Sequence, residues 1–117
     1  MNLDATTDAL TREIKETLEQ RFGEALEGVY LFGSRARGEH RPDSDVDVAV
    51  VLRRVRGPLA AVDLELLDLT YPLEIERGLH VQAWALPSES MSASGDADYA
   101  GLRVRLAATV RREGVRL

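Results

Sequence analysis

Asp45 and Asp47 stand two apart in the run Ser44-Asp45-Val46-Asp47-Val48-Ala49-Val50, the stretch of the sequence best suited to chemistry. Side chains at i and i+2 of a strand point the same way, so the two carboxylates would sit side by side on one face. Like charges at that spacing repel, and burying them uncompensated costs several kcal/mol each. A divalent cation removes the penalty, because a hard cation such as Mg²⁺ takes one or two carboxylates together with substrate phosphate oxygens. The same alternation turns Val46 and Val48 to the core, the pattern of a strand at the rim of a site.

Upstream, Gly33-Ser34 follows an apolar run at residues 29–32. A glycine there lets a phosphate approach the backbone closely, and Ser34 adds a hydroxyl donor. If Ser34-Arg35-Ala36-Arg37 opens a short helix, its free N–H groups point at the same anion. Arg35 and Arg37 either bring local positive charge to this turn or face solvent. A phosphate cradle beside a carboxylate pair has the parts of phosphoryl or nucleotidyl transfer.

These residues need elements to hold them. Leu10, Ile14, Leu18 and Phe22 recur at spacing four and mark the buried stripe of a first helix, with Thr6, Thr7 or Asp8 as cap and Gly23 at its end. Residues 29–32, 46–52 and 79–86 read as strands. Pro58 opens a helix whose buried face is Leu59, Val62, Leu66 and Leu69; Pro72 should kink or split it near Thr70-Tyr71, and Gly78 ends it. Residues 88–98 form a polar loop, and Tyr99, Leu102, Leu106 and Val110 mark a last helix stopped by Gly114. The order α-β-β-α-β-α predicts an α+β fold with helices packed on one face of a small mixed sheet.

Gly33-Ser34, ten residues (35–44), then Asp45-x-Asp47 resembles the signature of the polymerase-beta-like nucleotidyltransferase superfamily. The form GSRARG…SDVDVAV is similar to the minimal nucleotidyltransferase (MNT) family within it. The resemblance implies that Gly33 and Ser34, with Arg35 and Arg37, hold the triphosphate of ATP or another NTP, and that Asp45 and Asp47 bind Mg²⁺, in a one- or two-metal site. It implies transfer of a nucleoside monophosphate to an acceptor hydroxyl with release of pyrophosphate. Active members carry a third carboxylate on a later strand. Here the matching stretch, GLHVQAWAL, places Gln82 at that position. A neutral amide neither holds a second metal strongly nor accepts a proton, so Asp43, His80 or a partner's group would have to substitute.

In this family the domain resembles an antitoxin encoded beside an all-helical HEPN-domain toxin, which it neutralises by binding it, by adding AMP to it, or both. Residues 87–117 are too few for the helical domain that closes over the nucleotide in larger superfamily members, which also points to a partner. Three functions follow as expectations: a transferase acting on a partner's hydroxyl, an inactive antitoxin that works by binding, and, less well supported, a transferase acting on RNA or a small molecule.

The bulk numbers set outer bounds. A chain of 117 residues is expected to form a single domain over 1–117. With no cysteine it has neither a disulfide framework nor a thiolate metal site. The opening MNLDATTDAL lacks the basic and apolar regions of a signal peptide, and no run reaches the length of a membrane helix, so a cytoplasmic location is expected. A net charge of −5 gives no general attraction to nucleic acid or anionic membrane, so any phosphate must be held by a local device.

Overall fold

The computed structural model describes residues 3–92 and 101–117. Helix α1 (Ala5–Phe22) leads through a 3-10 turn (Gly23–Ala25) into strand β1 (Leu26–Phe32) and the one-turn helix α2 (Ser34–Arg37). Strand β2 (Val46–Leu52), helix α3 (Leu59–Arg77) and strand β3 (Val81–Pro87) follow. A second 3-10 turn (Ser88–Met91), helix α4 (Gly101–Glu113) and the two-residue strand β4 (Val115–Arg116) complete the order. The strands make one sheet in the order β3-β2-β1-β4. Strand β1 is antiparallel to β2 and β4, whereas β2 and β3 are parallel, so the sheet is mixed and the α+β class holds.

Strand β2 lies between β3 and β1, and its two faces differ. Val46, Val48, Val50 and Leu52 are at most 1% exposed and pack with Leu10, Ile14 and Leu18 of α1 and Leu66 of α3. Ala49 and Val51 point the other way, against Phe32, Leu86 and the α4 residues Ala107 and Val110. Helices α1 and α3 therefore share one face, as expected, while α4 covers the other. The reason lies in the strands: Phe32, Ala49, Val51 and Leu86 leave the second face too apolar to stand in water.

Strand β3 is an edge, and side chains blunt it. The Val81 N–H donates to Glu74 Oε1 at 2.9 Å and the Ala85 N–H to Asp63 Oδ1 at 2.9 Å. Arg103 Nη1 donates to the Ala85 carbonyl at 2.8 Å.

Local expectations are corrected at three places. The cap of α1 is Asp4, whose carboxylate accepts the Thr7 N–H at 2.7 Å, not Thr6, Thr7 or Asp8. The Thr7 hydroxyl is engaged elsewhere, by Arg35. Helix α3 runs unbroken through Pro72, with Pro58 as its N-cap. Proline removes the hydrogen bond to the Asp68 carbonyl, but Asp68 and Pro72 lie on the exposed side, where water replaces it, while Leu66 and Thr70 keep the helix seated. Strand β4, absent from the sequence expectation, pairs with Tyr30 and Leu31 directly after Gly114. Of the polar loop, residues 93–98 lie outside the described residues, as do Tyr99 and the Leu102 side chain.

Candidate functional site

The turn after β1 is built around Gly33. Its φ of 78° lies where a side chain is strained, and a Cβ there would overlap Asp47 Oδ2. Glycine is thus required twice, by the backbone and by the carboxylate against it. The Gly33 carbonyl accepts the Ala36 and Arg37 N–H groups at 3.1 and 3.2 Å, which forms the expected single helical turn beginning at Ser34. Across the sheet, Phe32 pairs with Asp47 and Asp47 pairs with Gln82. Three strands therefore bring the Gly-Ser turn, the aspartates and Gln82 into one row.

Asp45 immediately precedes β2 and Asp47 is its second residue; both are half-buried. They lie on the face of β2 that carries Ala49 and Val51, not the all-valine face. Gln82 Nε2 donates to Asp45 Oδ2 at 3.1 Å, so the amide contacts the pair directly. The Asp47 carboxyl is pushed up to about 6, first by burial and then by the Asp45 charge, with Arg37 and His80 opposing the shift. This is a place with more negative charge than its surroundings offset. Two hard carboxylate oxygens and an amide fit a hard divalent cation that takes its remaining ligands from water and phosphate. Among the described residues no group of three or more His, Cys, Asp or Glu side chains forms a self-sufficient metal cage. Asp43 lies exposed in the turn before the pair. His80 Nδ1 stands 3.2 Å from Glu74 Oε1.

The two arginines of the motif go opposite ways. Arg35 is 3% exposed and turns inward. Its Nε and Nη2 donate to the Ser44 carbonyl at 3.1 and 2.9 Å, Nη2 also reaches the Pro42 carbonyl at 3.0 Å, and Nη1 donates to Thr7 Oγ1 at 2.8 Å. All three of its nitrogens are engaged in tying the loop ahead of Asp45 to α1, so the guanidinium expected at a phosphate instead faces inward. Arg37 stays at the surface, donating to Glu113 at 3.1 Å and to Glu39 at 2.9 Å, close enough to Asp47 to lower its pKa. A phosphate reaching Arg37 would compete with these two glutamates, whose hydrogen bonds hold its pKa above the ordinary value. Sequence reasoning missed Glu74 and Glu113 and gave Thr7 a capping role in place of its bond to Arg35; each is ordinary in its own helix and gains its role only through folding.

Comparison with known proteins identifies the family and the fold. A family described as a nucleotidyltransferase domain matches residues 11–95. The protein adenylyltransferase MntA of Thermococcus cleftensis is 40% identical over 65 residues, 56% of this chain and 63% of that protein, so the chain spans less than two thirds of that relative. A solved structure of a minimal nucleotidyltransferase superposes with a TM-score of 0.55 at 29% identity, covering 95% of each chain. A mutant of the MntA–HpeT toxin–antitoxin superposes with a TM-score of 0.58 at 24% identity, covering 92% of this chain and 70% of the other, a likeness of fold.

Proposed function

Since the chain belongs to the nucleotidyltransferase domain family, we propose that it moves a nucleoside monophosphate, with AMP the first choice, from an NTP to a hydroxyl of a partner protein, a toxin of HEPN type. The observation that carries the reading is the packing of Asp47 against Gly33, which sets the carboxylate pair directly beside the Gly33-Ser34 turn. The adenylyltransferase relative and the fold shared with a toxin–antitoxin protein support the choice of AMP and of partner.

In this reading Asp45 and Asp47 hold Mg²⁺. The ion, when bound, neutralises phosphate charge and aligns the group to be transferred. Gly33 makes room for the Asp47 carboxylate, and the turn it forms, with the Ser34 hydroxyl as donor, would hold the triphosphate. Arg37 supplies positive charge at the rim, and Arg35 fixes the loop that carries Asp45. Gln82 orients Asp45 through its amide but accepts no proton at neutral pH. The acceptor's proton would pass to His80, which lies at the head of β3 beside the pair, or to a group of the partner.

Gln82 favours a second reading, an antitoxin that retains the site but works by binding. One experiment separates the two: intact mass of the partner after incubation with this protein, Mg²⁺ and ATP. Addition of AMP that disappears with Asp45→Ala supports transfer. An unchanged mass in a stable complex supports binding alone, and activity gained with Gln82→Glu would identify the amide as the cause.

A further inference from the structure

Helix α3 carries a second apolar stripe besides the one it buries. Leu64, Leu67, Tyr71 and Ile75 are 64%, 51%, 60% and 66% exposed. Their spacing of three, four and four places them on one face, opposite the buried Val62, Leu66 and Thr70. The stripe is about 16 Å long at 1.5 Å per residue. An apolar strip of a few hundred Å² on one helix is of the size that marks interaction surfaces.

The charges beside it select the occupant. Helix α3 contains five acidic residues, Asp63, Glu65, Asp68, Glu74 and Glu76, and one basic residue, Arg77, which pairs with Glu13. Asp63, Glu65 and Glu74 are matched within the chain by Arg103, Arg21 and His80. Asp68 and Glu76 are exposed and form no ion pair among the described residues. A second copy docked helix to helix about a two-fold axis would set the Asp68 flank against itself if the helices ran antiparallel, and against the flank of Asp63 and Glu74 if parallel, so neither arrangement brings a base of α3 to Asp68. Anionic lipid and nucleic acid meet the same repulsion, reinforced by the net charge of −5.

We propose that the outward face of α3 docks a partner protein that presents an apolar face rimmed by lysine or arginine. The inference deepens the partner reading above and rests on it. It places the contact on the sheet face opposite Asp45 and Asp47, so binding and chemistry are separable by mutation.

The test uses the full chain and, as probe, the product of the gene beside its own. Affinity is measured for the unaltered protein, for L67E/Y71E and for D68K/E76K. All altered positions are exposed, and thermal melting together with Mg–ATP binding checks that each variant is intact. The expected result is affinity lowered at least ~30-fold by L67E/Y71E, as for loss of central apolar anchors. For D68K/E76K a loss of about fivefold is expected, one that shrinks with added salt. Equal affinity of L67E/Y71E and the unaltered protein overturns the inference and leaves the partner reading standing. No complex with the unaltered protein overturns both. An isolated chain that dimerises through α3, or that binds neutral lipid vesicles through it, assigns the face to another occupant and also overturns the inference.

Discussion

The two faces of β2 use one strand for different ends. On one, Val46, Val48, Val50 and Leu52 make a dry surface under α1 and α3. On the other, Ala49 and Val51 continue the apolar pattern under α4, but Asp47 and the preceding Asp45 replace it at the open end. The first face stabilises without chemistry. The second gives up apolar burial for a pair of charges whose burial, and then mutual repulsion, show in the raised Asp47 pKa. Strand alternation lets both coexist within seven residues.

The largest effect should come from the residue that joins the open end to the rest of the fold. Arg35→Ala leaves the Pro42 and Ser44 carbonyls and the Thr7 hydroxyl without their donor. A loss of about 3–5 kcal/mol in urea unfolding is expected for leaving several part-buried acceptors without their charged donor. Arg35→Lys should recover only part of it, since one ammonium cannot reproduce the fork. Arg37→Ala, two residues on, should change stability by less than ~1 kcal/mol, as its ion pairs are exposed. Any weakening of nucleotide binding by Arg37→Ala then reports the rim and not the fold.

Breaking the dry face comes next. Val48→Ala should cost about 2–3 kcal/mol, because a fully buried side chain is cut back in a packed core. Metal and nucleotide binding should survive it at temperatures below the lowered melting point.

Asp47→Asn should do the reverse: abolish metal binding while stabilising the metal-free protein by about 1–2 kcal/mol, a figure reduced for the site's partial exposure. The sign follows from the raised carboxyl. Its penalty is absent below the ordinary aspartate value of 3.8, grows as pH rises, and is complete above about 6. The gain from Asn should therefore be small at pH 4 and level off above pH ~6.5, checked by melting curves across that range. The smallest effect is expected at the α1 cap: Asp4→Ala should cost about 1 kcal/mol near neutral pH. Asp4 titrates near 2 because it accepts hydrogen bonds from Thr7 and lies beside His40, so its contribution is lost as pH falls toward that value.

Much of this contrast was legible in the sequence. The 46–52 strand, the side-by-side aspartates, the inward valines and the placement of Gln82 follow from period-two alternation, which folding has no freedom to change once the strand forms. Gly33 was legible as a turn, though the second requirement on it, the touching Asp47 carboxylate, depends on strand pairing. Arg35 was not legible, because a basic residue in a glycine-serine motif offers the same letters whether its guanidinium turns out to an anion or in to two carbonyls and a hydroxyl. The side of the sheet taken by α4 was equally hidden, since an amphipathic pattern says that a face is buried but not against what. Two-residue β4 has no period to read. Pro72 misled because local propensity forbids a bond that α3 can forgo on its wet side.

The most direct test of the account is an NMR titration of the labelled chain with Mn²⁺ and ATP, with Mn²⁺ as a paramagnetic stand-in for Mg²⁺. The account predicts saturable, nucleotide-dependent broadening centred on Gly33, Ser34, Asp45, Asp47 and Gln82, abolished in Asp45→Asn/Asp47→Asn, with the exposed face of α3 untouched. Broadening centred elsewhere, or unchanged in the double variant, would contradict it.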